Sequence, residues 1–203
     1  MKAKRKIGLI LMTAGVLLVC AALVLFLGNQ REGIEAGNAA EMVLPKLREH
    51  IGDTDTDPDE PEAVYEAYET DEMTEVMIDG YAYIGYLSIP SLELDLPIMS
   101  EWDYTRLKIA PCRYAGSTKT DDLVLCAHNY ARHFGNIKTL TAGDEVDFTD
   151  MDGVTIRYAV VSVEILEPTA VEDMTDSGYD LTLFTCTYGG ASRVTVRCDR
   201  VPV

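Results

Sequence analysis

The chain has 203 residues, 47% of them hydrophobic, which is one globular domain of ordinary size with some length to spare and no room for a second enzymatic domain. Its formal net charge of -17 argues against a nucleic-acid partner, because a phosphate backbone is bound by Lys and Arg and would be repelled here. Five cysteines, one inside an apolar N-terminal run, do not make the even-numbered framework of a small disulfide scaffold and leave a thiol for chemistry.

A basic cluster, Lys2, Lys4, Arg5 and Lys6, precedes an almost unbroken apolar run from Ile7 to Leu27. About 20 apolar residues span the roughly 30 Å hydrocarbon core, and basic residues ahead of them stay in the cytoplasm. Residues 1–6 are therefore read as a cytoplasmic segment and 7–27 as an uncleaved single-pass transmembrane anchor. The run is longer than a signal-peptide core, and no small-x-small cleavage site follows it. On this reading Cys20 lies in the membrane and everything after the anchor is extracellular.

Residues 28–74 are polar and acidic and read as a stalk or linker. Met42, Val43, Leu44, Leu47 and Ile51 predict one short helix in it, started or interrupted at Pro45. Alternating aspartates and prolines between Asp53 and Pro61 predict extended chain, and the Gly and terminal Glu of an EF-hand loop are out of place. From residue 75 to 203 short segments rich in Val, Ile, Leu, Tyr and Thr alternate with Gly, Pro and Asp clusters, the pattern of an all-β domain. Strands are predicted at 82–89, 94–99, 122–126, 145–148, 154–166, 180–185 and 192–199, with short helices at 102–107 and 136–140. Strands so short and numerous make a closed barrel or a sandwich.

Three polar residues stand at strand ends: His128, Cys186, and Arg193 across the turn Tyr188, Gly189, Gly190. If the last two strands form a hairpin, Cys186 and Arg193 lie within reach of each other at its turn end. A thiolate attacks a peptide carbonyl, an imidazolium protonates the leaving amine, and a guanidinium holds the substrate or the oxyanion. With ordinary pKa values the thiolate–imidazolium form is only about 1% of the singly protonated pair. Arg197, on the same strand face, is a second candidate, with Arg193 preferred for lying at the turn. His133 is the rival to His128 and is read as a surface or loop residue, while His50 belongs to the stalk. Cys112, Cys126 and Cys198 are read as packing residues.

At these residues the chain resembles the sortase family. Thr182, Leu183, Phe184, Thr185 and Cys186 match its nucleophile signature, and Ala127, His128 and Asn129 match its histidine segment. Further matches run from Tyr83 to Pro90, over Leu96, Pro97 and Ile98, at Asp144 to Val146 and from Arg193 to Arg197, covering roughly residues 81 to 200. The resemblance implies a closed eight-stranded β-barrel and a membrane-anchored cysteine transpeptidase of a Gram-positive envelope. Cys186 would cleave a C-terminal sorting motif of Leu-Pro-x-Thr-Gly type in a secreted protein and hold the acyl group as a thioester. An amine of a peptidoglycan precursor or a pilin would resolve it. His128 and Arg193 take the family's acid–base and guanidinium roles, and Thr185 is expected to help form the oxyanion site.

Features of class B or class D are present. The segment 129–135 looks class-B-like, yet the stretch from Glu167 to Asp180 lacks the long helix of that class. Asp57 and Pro58 are followed by Asp59, where a class C lid carries an aromatic residue. No cofactor is implied and no metal is assigned, since neither C-x-x-C nor H-E-x-x-H occurs. Glu167, Glu172, Asp173 and Asp176 are read as a solvated acidic loop rather than a calcium site. Two other readings stand beside the transpeptidase. One is a papain-like hydrolase, whose nucleophile opens a helix; the other is a tethered, non-catalytic β-domain that binds envelope partners.

Overall fold

The computed structural model describes residues 2–52 and 72–202. The acidic run from Asp53 to Pro61, with Asp57 and Pro58, lies outside the described residues.

Nine strands follow one helix: β1 (Val76–Ile78), β2 (Tyr81–Ile89), β3 (Leu94–Met99), β4 (Cys112–Ala115), β5 (Leu123–Ala127), β6 (Glu145–Asp150), β7 (Thr155–Leu166), β8 (Leu181–Cys186) and β9 (Arg193–Arg200). They hydrogen-bond in the order β1-β2-β3-β4-β5-β8-β9-β7-β6, and a further β2–β6 pairing closes β2 to β9 into an eight-stranded barrel. Closure removes the free edges that an open sheet would expose. Ladder β2–β6 needs a glycine. Gly85 has φ +146°, and a Cβ there would fall 2.1 Å from the carbonyl oxygen of Thr149 on β6. That close approach accompanies a register shift in β2 between Tyr83 and Gly85.

All seven strands expected from the sequence are present. The two that the pattern missed, β1 and β4, are only three and four residues long. β4 meets β3 at a single position, Met99 with Cys112, so too little of it is half-buried to produce an alternating signature.

Period-two alternation divides several of the strands between two apolar clusters. Leu123, Leu125, Leu181, Leu183, Val194 and Val196 point into the barrel with Ile84, Leu87, Phe148 and Tyr158. A second cluster lies on the outer face, where Tyr83, Met99, Cys112 and Cys126 meet Val43 and Leu47.

Those last two residues belong to α1 (Lys2–Gly52), a longer helix than the one expected here. Over residues 28–52 the chain is more than one short helix: a single helix continues from the apolar run through Pro45 to Gly52. Ala36, Ala40, Val43, Leu44 and Leu47 recur every three or four residues, forming one buried face. Lys46 pairs with Asp79 at 2.6 Å and Arg48 with Asp95 at 2.8 Å at its edges. Burial of this face offsets the roughly 3 kcal/mol that an interior proline costs a helix. By contrast, Leu11, Leu18, Val19 and Leu25 of the apolar run are exposed, and the stretch is long and apolar enough to cross a membrane.

Candidate active site

β5 and β8 run parallel with Ala127 opposite Thr185, so the residues that follow, His128 and Cys186, start side by side. β8 and β9 run antiparallel with Cys186 directly opposite Arg193. The three predicted residues therefore form one row across three adjacent strands spaced about 4.8 Å apart. Leu183 and Val194 face the barrel interior, which puts Cys186 and Arg193 on the outer face by alternation.

The row borders an open cleft of about 150 Å³ that His128, Cys186 and Arg193 help to line. One wall is aromatic: Trp102 lies 5.4 Å from Tyr114, which makes an edge-to-face contact with Phe184 at 5.2 Å. Pro168, Val171 and Met174 also line the cleft, the last two on the short helix α2 (Val171–Thr175). The walls are apolar and the reactive groups sit together beside them, an arrangement suited to an extended peptide with apolar side chains. The composition of 102–114 gave no hint of this wall, because its rings converge only when β3 and β4 are brought together.

The thiols separate by environment. Cys186 is partly exposed on the cleft, whereas Cys112, Cys126 and Cys198 are buried. Burial pushes Cys112 and Cys198 up to about 12 and raises Cys126 as well, which keeps them as inert thiols.

The imidazole of His128 is lowered by burial first and then by Lys108, with Glu32 of α1 opposing. Its Nε2 is buried and has no hydrogen-bond partner among the described residues. The rival, His133, lies in a loop as expected but not at the surface. It is fully buried where α1 covers it at Ala36, and burial pushes it down to about 4.

An ordinary histidine takes a proton near 6.5, so the unfolded chain binds one between pH 6.5 and 4 while folded His133 stays neutral. Its contribution to stability should be complete above pH 6.5 and fall by roughly 3 kcal/mol as the pH drops to 4. Denaturant midpoints of the wild type and His133→Asn at pH 7 and 4.5 test this, the variant giving the smaller acid loss. Asp150, raised to about 6 by burial, acts in the opposite sense over the same range, and the comparison cancels it.

The two arginines divide in the same way. Arg197 is 3% exposed; it donates to Glu164 at 2.7 Å, the Thr182 hydroxyl at 3.0 Å and the Asp173 carbonyl at 2.6 Å. It ties α2 to the barrel. Arg193 donates through Nη1 to the carbonyls of Gly190 and Ser192, both at 3.2 Å, and has no acidic partner among the described residues. Its charge remains uncompensated beside the cleft.

Thr185 does not face the cleft. Its side chain is buried opposite Cys186, and its hydroxyl donates to the Ala127 carbonyl at 2.8 Å. The hydroxyl joins the residue before the cysteine to the residue before the histidine, on the face away from the cleft. Thr185→Val should lower stability by about 1–2 kcal/mol by leaving that buried carbonyl unpaired. A loss of about 10²–10³ in turnover at unchanged stability would instead support the oxyanion role.

Cys186 ends a strand, unlike the helix-opening nucleophile of a papain-like hydrolase. Glu167, Glu172, Asp173 and Asp176 form no metal-holding cluster among the described residues.

Comparison with known proteins identifies the family. Sortase A of Bacillus anthracis is 29% identical over 125 residues, covering 57% of each chain. The structure of sortase A from Corynebacterium diphtheriae superposes with a TM-score of 0.55 at 26% identity, covering 61% of this chain and 62% of that one. Sortase C1 from Streptococcus agalactiae gives 0.53 at 28% identity, covering 63% and 72%. The chain thus spans less than two thirds of the length of the first two. A family model described as a sortase domain matches residues 87–201, more than half of the chain and all the strands that carry the row. By fold, by the order His, Cys, Arg and by this match, the chain belongs to the sortase family.

Proposed function

We propose that the protein is a membrane-anchored cysteine transpeptidase that joins secreted proteins to an amine at the outside of the cell envelope. The observation that carries this reading is the row of His128, Cys186 and Arg193 on the outer barrel face beside an apolar cleft. A C-terminal sorting motif of Leu-Pro-x-Thr-Gly type lies extended along the aromatic wall. Cys186 Sγ attacks the scissile carbonyl, and Arg193 supports the negative charge that develops on its oxygen. The C–N bond breaks, His128 gives its proton to the departing amine, and a thioester remains on Cys186. An acceptor amine of a peptidoglycan precursor or a pilin then attacks the thioester. His128 takes the proton, the C–S bond breaks, and a new amide leaves. Residues 7–27 hold the enzyme in the membrane with residues 1–6 in the cytoplasm, which keeps the cleft on the side where secreted substrates emerge.

The test is intact mass of the full chain in detergent after incubation with a panel of sorting-motif peptides. A covalent adduct on Cys186, released by hydroxylamine or an added amine, is the expected result. Absence of any adduct, with the Cys186 thiol still titratable in a folded protein, would favour a tethered binding domain.

A further inference from the structure

The histidine loop leans on α1 at the turn just past the apolar run. The loop closes on itself: Phe134 N–H donates to the His128 carbonyl at 3.3 Å, and His133 and Gly135 N–H both donate to the Tyr130 carbonyl at 2.9 Å. A side chain at Gly135 would place its Cβ 2.7 Å from the carbonyl oxygens of Asn129 and Tyr130, so the turn is as tight as a backbone allows. Tyr130 is 8% exposed and lies between two imidazoles, 5.0 Å from His128 and 5.7 Å from His133. Its hydroxyl donates to the Glu32 carboxylate at 3.3 Å. Facing it on α1 is Gly33, where a Cβ would already touch the Tyr130 ring at 3.5 Å. One turn further on, a Cβ at Gly37 would fall 2.5 Å from the Arg132 side chain, which itself bonds Asn38 at 2.8 Å and pairs with Glu41.

We propose that Glu32 and Tyr130 are positioning residues for His128, so that the membrane-proximal turn of α1 is part of the active site as well as its tether. This inference rests on His128 being the acid–base group of the reaction proposed above. Tyr130 fills the space behind the imidazole and stops the ring from rotating off the cysteine, and Glu32 anchors Tyr130 from the other side. The two glycines let the helix come close enough for the link to form. Docking by Val43 and Leu47 would hold α1 to the barrel without touching this loop, so the Glu32–Tyr130 contact does more than attach the helix. The charged and titratable groups around His128 are Glu32 on α1, Lys108 on the turn before β4, Cys186 and Arg193 along the row, and His133 beyond Tyr130. Glu32 is the carboxylate of that set and favours the imidazolium that must protonate the leaving amine.

The experiment uses the full chain in nanodiscs. Thioester formation is followed by quenched intact mass, and the His128 ring is titrated by NMR. Glu32→Gln and Tyr130→Phe should each lower the acylation rate about tenfold, a part of the 10²–10⁴-fold that a positioned acid supplies, with peptide KM unchanged within about twofold. The His128 titration should move to lower pH in Glu32→Gln. Arg48→Ala, which breaks a docking pair at the far end of α1, should leave both the rate and the titration unchanged. Wild-type rates and an unmoved titration in both variants would overturn the inference, as would a slowed Arg48→Ala of equal size. If the wild type itself never acylates, the transpeptidase reading fails, while the titration still decides whether Glu32 and Tyr130 act on His128.

Discussion

Replacing Cys186 with alanine should abolish thioester formation with every sorting peptide while the barrel keeps its melting temperature. The side chain is only partly buried and bonds nothing structural among the described residues, so removing its sulfur opens no core cavity. The chemistry has no substitute. The other thiols of the domain are buried and held protonated, and none shares the row with His128 and Arg193. A lost covalent step leaves only what binding and the oxyanion contact supply, so turnover should fall by about 10⁴ or more. An adduct that persists in Cys186→Ala would end the assignment of the nucleophile.

The second large effect separates the two arginines. Arg193→Ala removes an unpaired charge next to the reacting carbonyl, and a loss of about 10²–10³ in kcat is expected, the range for one oxyanion-stabilising group. Stability should change by less than about 0.5 kcal/mol, since only two turn carbonyls lose a donor near solvent. Arg197→Ala should do the opposite. It strips three hydrogen bonds from Glu164, Thr182 and Asp173 at a position 3% exposed, and a cost of about 3 kcal/mol follows from leaving those groups without their cation. Turnover per folded molecule should then be nearly normal at low temperature. Denaturant midpoints and kcat measured on both variants decide the matter, and the reverse ranking would move the guanidinium role to Arg197.

How legible each part was depends on how far the contacts reach along the chain. The β8–β9 hairpin could be read directly, because a short turn with two glycines sets the pairing of Cys186 with Arg193. His128 was legible as a candidate, but its place beside Cys186 depends on a parallel pairing between residues 58 apart, Ala127 and Thr185. No local pattern reports such a pairing. The direction of the Thr185 side chain was not legible for a related reason: a signature motif says which residue precedes Cys186, whereas alternation along β8 turns its side chain to the other face.

The largest departure is the end of α1. Its charge and Pro45 read as solvated stalk, and its apolar residues looked too sparse for more than a short helix. They do repeat at helical spacing, but spacing alone cannot say what surface receives them. The receiving surface is the outer face of the closed barrel, and the covering of His133 and the Glu32–Tyr130 contact exist only once it forms.

By itself the sequence determined the properties that are local or additive: an apolar run long enough for a bilayer, seven of the nine strands, a turn that pairs the nucleophile with an arginine, and the residue types the reaction needs. Tertiary structure decided which of the rival residues lie on the cleft and which are buried. Arg193 and Arg197, His128 and His133, and Cys186 and the other thiols are chemically equivalent pairs in the sequence. They differ only in burial and partners, and both are set by closing the barrel and docking α1 upon it.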